Sequence, residues 1–175
     1  MSDIMQGRHG EPVSDEIFRA AFRALASGVV VVTCWVDDRP WGMTINSCCS
    51  VSTSPCRVLI SLQRRTRTCM AIEQASSFGL NLLASDQKRV AESAAVAGQP
   101  KFLDSYCAPR ERDRPPLVRS SIWCLECTVD RTFGVGDHVL IVGGVGAVTG
   151  LRSQGAEAEP LLYFNRTYRL IGRQL

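Results

Sequence analysis

A mainly β fold, an antiparallel barrel with helices set into its gaps, is the class this sequence predicts. Three observations predict it. Six or seven short runs rich in β-branched and apolar residues recur along the chain. Turn residues between many of them leave room for hairpins. The helical stretches are few and do not alternate with the strands as a doubly wound sheet would require.

Residues 1–13 are polar, broken by glycine and proline, and read as a disordered lead-in to one domain over 14–175. Ser14 caps a helix whose first turn carries Asp15 and Glu16, which suit its positive end. Phe18, Phe22 and Leu25 repeat at i, i+4, i+7 and form one apolar stripe, read as core packing. Gly28 stops that helix. Val29–Val36 is a continuous apolar run, so a strand buried on both faces. Asp37–Pro40 is a turn, and Trp41–Asn46 returns as its hairpin partner. Ser50–Ser54 is a hydroxyl-rich loop closed by Pro55, and Val58–Leu62 is the third strand. Thr66 or Thr68 caps a short helix reaching Ala75. Phe78–Leu83 is the fourth strand, and Ser85 caps the next helix, which ends near Ala95. Residues 96–118, rich in glycine, proline and charge, form a long loop of the kind that is often functional. Ser121–Arg131 is the fifth strand, Phe133–His138 a turn, and Val139–Val148 the sixth strand. Leu161–Phe164 and Tyr168–Ile171 are the last extended segments.

The totals exclude several classes. The chain has 175 residues, 45% hydrophobic, enough for a substantial core and against disorder. A net charge of +3 gives no basic surplus of the nucleic-acid-binding kind. No apolar run approaches the roughly 20 residues of a membrane helix. Residues 1–13 do not read as a signal peptide, so the expected location is the cytoplasm. Of the eight cysteines, only Cys124 and Cys127 have metal-like spacing. They lie three apart on a strand and so face opposite ways. The cysteines read as buried thiols in a reducing compartment, with no metal site.

One stretch carries the chemistry. Pro40–Thr68 places Gly42, Thr44, Asn46 and Ser47 at the end of one strand. Gln63-Arg-Arg-Thr-Arg-Thr68 follows another. Hydroxyls, backbone N–H groups and arginines are phosphate ligands. Two readings stand: a phosphate-bearing cofactor across two strand ends, or a polar loop and a solvated basic turn. The glycines of Val142–Gly150 are no dinucleotide fingerprint, because no helix follows them. Of two histidines, His9 falls in the lead-in, leaving His138 as either a turn residue or a functional one. The sequence has neither GxSxG nor HExxH.

Several pieces occur in a telling order: Phe18–Gly28 with VVVVT, GMTINSCCSVSTSP, LISLQRRTRT, FGLNLLASDQ, KF, WCLEC, GDHVLIVGGV and PLLYFNRTY. Over about residues 14–172 the chain resembles the flavin reductase-like domain family, the short NAD(P)H:flavin oxidoreductases that serve two-component monooxygenases. The resemblance implies an FMN-binding split β-barrel with Greek-key connections, and a homodimer in which both subunits build each flavin site. It implies that Gly42, Met43, Thr44, Asn46, Ser47 and Cys48 follow the flavin ring, with Ser61 and Gln63 on the ring or ribityl side. Arg64, Thr66, Arg67 and Thr68 would hold the phosphate, and Phe78 and Asn81 would flank the flavin. Asp137 and His138 would approach the nicotinamide, and Tyr168 would cover the site. Cys48 and Cys49 depart from the serine, alanine or phenylalanine usual there.

The implied activity is hydride transfer from NADH, preferred over NADPH, to FAD, slightly preferred over FMN. The reduced flavin would pass to a flavin-dependent monooxygenase acting on an aromatic compound or secondary metabolite. Such chemistry belongs to the cofactor, and needs no nucleophile or metal from the protein. Two other readings remain open: a tight flavoprotein oxidase or ferric reductase on the same barrel, and a non-enzymatic flavin- or metal-binding module.

Overall fold

The computed structural model describes residues 12–150 and 158–172; most of the lead-in and part of the loop before Leu161 lie outside them. The barrel comes from β2 (Val30–Val36), β3 (Arg39–Ile45), β4 (Cys48–Thr53), β5 (Cys56–Gln63), β6 (Ser77–Leu82), β7 (Trp123–Val135) and β8 (His138–Thr149). They form one antiparallel sheet in the order β3-β2-β6-β7-β8-β5-β4. β3 and β4 thus occupy opposite edges of the sheet, yet only Asn46 and Ser47 join them in sequence. The sheet must curl until its two edges meet at that corner, which covers edges that would otherwise pair with other chains. A smaller sheet holds β1 (Ser27–Gly28), β9 (Leu162–Phe164) and β10 (Thr167–Arg169). The helices among the described residues are α1 (Asp15–Arg23), α2 (Arg67–Ala75) and α3 (Lys88–Ala95).

β2 is buried on both faces, as its uninterrupted valines predict. Val30, Val32, Cys34 and Val36 join Ile60, Leu62, Phe78, Leu80 and Ile141 inside the barrel. Val29 and Val31 face a second cluster with Leu83, Val90, Leu103, Val118 and Leu161. That outer layer is made by α3 and the irregular segment 96–118. The segment is tied down by Glu126 of β7, which accepts from both Arg110 and Arg114, the latter at 2.6 and 2.9 Å.

Five expectations are corrected. The stripe of α1 is not core: no residue of that helix is buried, and Phe18, Phe22 and neighbouring Leu25 are 56%, 59% and 59% exposed. Amphipathic spacing shows that a face is apolar, not what covers it. Most of the expected loop Ser50–Ser54 is strand, because β4 pairs with β5 from Cys48↔Ile60 to Thr53↔Cys56; β-branched and hydroxyl residues suit a solvated edge strand. Ser85 does not cap α3; Gln87 stands at the N-cap and its Oε1 instead accepts from the Ala84 N–H at 2.9 Å. β7 continues through Phe133 to Val135, so the turn shrinks to Gly136-Asp137. Cys124 and Cys127 do face opposite ways, Cys127 into the barrel core and Cys124 toward the Val118 carbonyl at 3.6 Å, but the cysteines are not all buried thiols, because Cys49 and Cys56 are exposed.

Candidate functional site

The corner that closes the barrel is also where the polar groups gather. Ser47 donates its hydroxyl to the Ser61 carbonyl at 2.7 Å, and the Ser61 N–H donates to the Ser47 carbonyl at 3.0 Å. This reciprocal pair staples the corner to β5. Asn46 is exposed and lines three openings at once. The largest is an apolar cavity of about 740 Å³ that also touches Cys48, Cys49, Val58, Leu80 and Leu125. A smaller one, about 210 Å³, is walled by Thr44, Tyr163 and Tyr168. Tyr163 and Tyr168 meet edge to face at 5.3 Å. The Cys48 thiol is half-buried and pushed up to about 11 by burial and by Cys49, so it faces the corner as a neutral thiol.

Two residues beyond Ser61, roughly 7 Å along the strand, β5 ends in Gln63 and the chain turns into α2. Thr66 is the N-cap: its Oγ1 accepts from the Cys69 N–H at 3.2 Å and donates to the Gln63 carbonyl at 2.8 Å. The first turn of α2 carries no acidic residue, which leaves its positive end uncompensated. Gln63, Arg64, Arg65, Gly136 and Asp137 line an open cavity of about 580 Å³. Arg64 and Arg65 are exposed and form no ion pair among the described residues. The Arg64 N–H donates to the Asp137 carbonyl at 2.9 Å, fastening this turn to the β7–β8 hairpin. His138 pairs with Gln63 across β5 and β8, and its Nδ1 lies 2.7 Å from Asp137 Oδ1. That hydrogen bond, with the charge of a protonated imidazole, holds the Asp137 carboxyl below its usual range.

The profile of the flavin reductase like domain family matches residues 22–172. The chain belongs to this family. Over 164 residues it is 30% identical to the reductase component of 4-nitrophenol 4-monooxygenase/4-nitrocatechol 2-monooxygenase from Rhodococcus opacus, covering 94% of this chain and 85% of the relative. It is 32% identical over 154 residues to the reductase component of 4-hydroxyphenylacetate 3-monooxygenase from Thermus thermophilus, covering 88% and 95%. Among solved structures, the NADH:FAD oxidoreductase SgcE6 of Streptomyces globisporus, in complex with NAD and FAD fragments, superposes with a TM-score of 0.80 at 28% identity. That match covers 93% of this chain and 98% of the other.

The flavin reductase site expected from sequence divides in two. Asn46, Ser47, Cys48 and Ser61 come together at the corner. Gln63, Arg64, Thr66, Asp137 and His138 come together around the turn into α2. Met43 is half-buried against the barrel core, and Tyr168 walls the smaller cavity beside Asn46. The other positions are engaged by the protein's own groups, Thr44 while also walling the smaller cavity. Thr68 is buried and its Oγ1 accepts from Trp41 Nε1 at 3.0 Å. Arg67 donates to Asp37 at 2.8 Å and sits 5.5 Å over Trp41. Phe78 fills the core. Asn81 is fully buried, donating to Val31 O and Thr33 Oγ1 while its Oδ1 accepts from the Val118 N–H. Gly42 is pressed against Leu103, where a side chain would collide, and the Thr44 hydroxyl donates to Ala91 O of α3. Arg65 and Gly136, both within the stretches that carry the resemblance, line the same cavity as Arg64. Tyr163 is an addition: strand pairing that no local pattern encodes sets it beside Tyr168 and Asn46.

Among the described residues no cluster of three or more His, Cys, Asp or Glu side chains could hold a metal, and no helix is long and apolar enough to cross a membrane.

Proposed function

We propose that this protein is an NADH-dependent flavin reductase that reduces FAD or FMN and releases the product to a separate flavin-dependent monooxygenase component. One observation carries the reading. A hydrogen-bonding corner opening on an apolar cavity lies two strand residues from a turn whose two arginines have no ion-pair partner among the described residues, beside an uncompensated helix N-terminus. A flat ring, a ribityl chain and a phosphate span that interval in order. Bound flavin supplies the hydride acceptor.

The chain's own residues bind and orient. Asn46, and backbone N–H groups near Ser47 and Cys48, offer hydrogen bonds to a ring edge. Arg64, Arg65, Gln63 and Thr66 offer cations and donors to a phosphate. His138, held by Asp137, is placed to orient the nicotinamide. The protein's part is proximity and a field that stabilises negative charge. A partner oxygenase is inferred from the relatives, which are reductase components of monooxygenases acting on 4-nitrophenol and 4-hydroxyphenylacetate.

The working unit is a homodimer. Phe18 and Phe22, with ring centroids 4.6 Å apart, and Leu25 present an exposed apolar face, and the same helix and Phe164 border an opening shared with Asn46. A second copy seated there would exclude water from the corner.

The test mixes purified protein with NADH and excess free FAD under nitrogen and follows the flavin's visible absorbance, then repeats with FMN and with NADPH. Catalytic bleaching of the whole flavin pool is expected, fastest with NADH. Bleaching of a single bound equivalent, with no turnover of free flavin, would replace this reading with a tightly bound flavoprotein.

A further inference from the structure

Arg64 does not point freely into solvent. It follows β5, whose Gln63 pairs with His138 of β8, and β8 pairs in turn with β7. Its guanidinium reaches over to β7 and lies on Gly134: a methyl group built on Gly134 would strike Arg64 Nη2, with Cζ at 3.6 Å and Nη1 at 4.0 Å. No other residue supplies a near atom at that position. The backbone of the same arginine is fixed to the same hairpin through the Asp137 carbonyl at 2.9 Å. Both ends of Arg64 are therefore set by the β7–β8 hairpin, one by a hydrogen bond and one by a missing side chain.

We propose that Gly134 is a positioning residue for flavin phosphate: by leaving its place on β7 empty it seats the Arg64 guanidinium beside the cavity at the turn into α2. This rests on the flavin-phosphate reading above and adds a residue to it. An alanine here is sterically awkward only for the tip of a flexible side chain, and Gly134 does not lie in the left-handed backbone region that glycine favours. Gly134→Ala should therefore fold as the parent does. What it changes is where the guanidinium can rest. Charge-assisted contacts to phosphate depend on geometry, above all the bidentate ones arginine makes. A ligand without the phosphate loses nothing by that displacement.

The experiment measures dissociation constants for FMN and for riboflavin, by fluorescence quenching, in the parent, Arg64→Ala, Gly134→Ala and the double variant. Arg64→Ala should weaken FMN about tenfold, on the scale of a lost charge-assisted hydrogen bond. Gly134→Ala should weaken FMN about threefold to tenfold, leave riboflavin within about twofold, and add nothing in the Arg64→Ala background, the signature of two residues acting as one. Circular dichroism and the melting temperature should match the parent. If Arg64→Ala weakens FMN but Gly134→Ala leaves it unchanged, or if the two effects add, the seat is wrong and the phosphate reading survives. If Arg64→Ala leaves the preference for FMN over riboflavin intact, the phosphate reading itself falls. Equal weakening of FMN and riboflavin by Gly134→Ala would mean a general distortion of the hairpin and would also overturn the proposal.

Discussion

Thr66 shows how one hydroxyl can serve two ends. It caps α2 through the Cys69 N–H and also borders the turn that holds Arg64 and Arg65. Thr66→Ala should cost about 1 kcal/mol of stability through the lost cap and should weaken FMN severalfold, while Thr66→Ser restores both. Unchanged FMN affinity in the alanine variant would remove Thr66 from the phosphate site and leave it a cap alone. His138 has a different expected signature. With its ring tied to Asp137 and 45% exposed, His138→Ala should raise the NADH KM or slow flavin reduction in single-turnover experiments without altering flavin affinity. A fall in flavin affinity with unaltered reduction would place it on the other ligand. The fully buried cysteines are of another kind. Cys34, Cys107 and Cys127 are pushed to about 12, chiefly by burial, and so remain protonated and inert at neutral pH.

At the scale of elements, the irregular 96–118 segment is held by charge as much as by packing. Glu126 lies on β7 with its side chain 11% exposed and receives Arg110 and Arg114 from that segment. Burial pushes its carboxyl up, but hydrogen bonds from Arg114 and Arg110, and their charges, bring it to a net value below the ordinary one. A carboxyl depressed in the folded state contributes stability that is complete above its unfolded-state pKa and is lost as pH falls through the folded one. Glu126→Gln should therefore cost about 2 kcal/mol at neutral pH, because it strands two arginines, and the gap from the parent should narrow in acid. Urea melts at neutral and acidic pH check this. An equal gap at both would show that the carboxylate charge is not what holds the segment.

For the whole molecule, the question the sequence leaves open is what the apolar stripe of α1 is for. Among the described residues it is left exposed, with no residue of the helix buried. Phe18→Glu with Phe22→Glu removes no buried group, so the melting behaviour of the isolated chain should barely change. Sedimentation velocity should show the parent as a dimer and the double variant shifted toward monomer, with weaker flavin binding. A parent that sediments as a monomer, or a double variant that remains fully dimeric, would leave this face without that function. Exposed aromatic clusters of this kind are costly to leave in water, which is why a second copy is the expected occupant.

Much of this protein was legible in one dimension. The valine run of β2, the turn residues of its hairpin, the capping pattern of α1 and the hydroxyl–arginine run after β5 are local signals, because backbone propensity, capping and charge act over a few residues. The β7–β8 hairpin extends beyond its local sequence signal, since Phe133 and Val135 are exposed and their strand character comes from pairing with Leu140 and His138 rather than from burial. Thr68, Arg67, Phe78 and Asn81 carried the right residue types for a ligand site, but Trp41, Asp37 and the core engage them first. Sequence determined the fold class, most strands and the chemical character of the site. Tertiary structure alone decided which of those side chains remain free, because whether a hydroxyl or guanidinium is available depends on partners brought from distant strands.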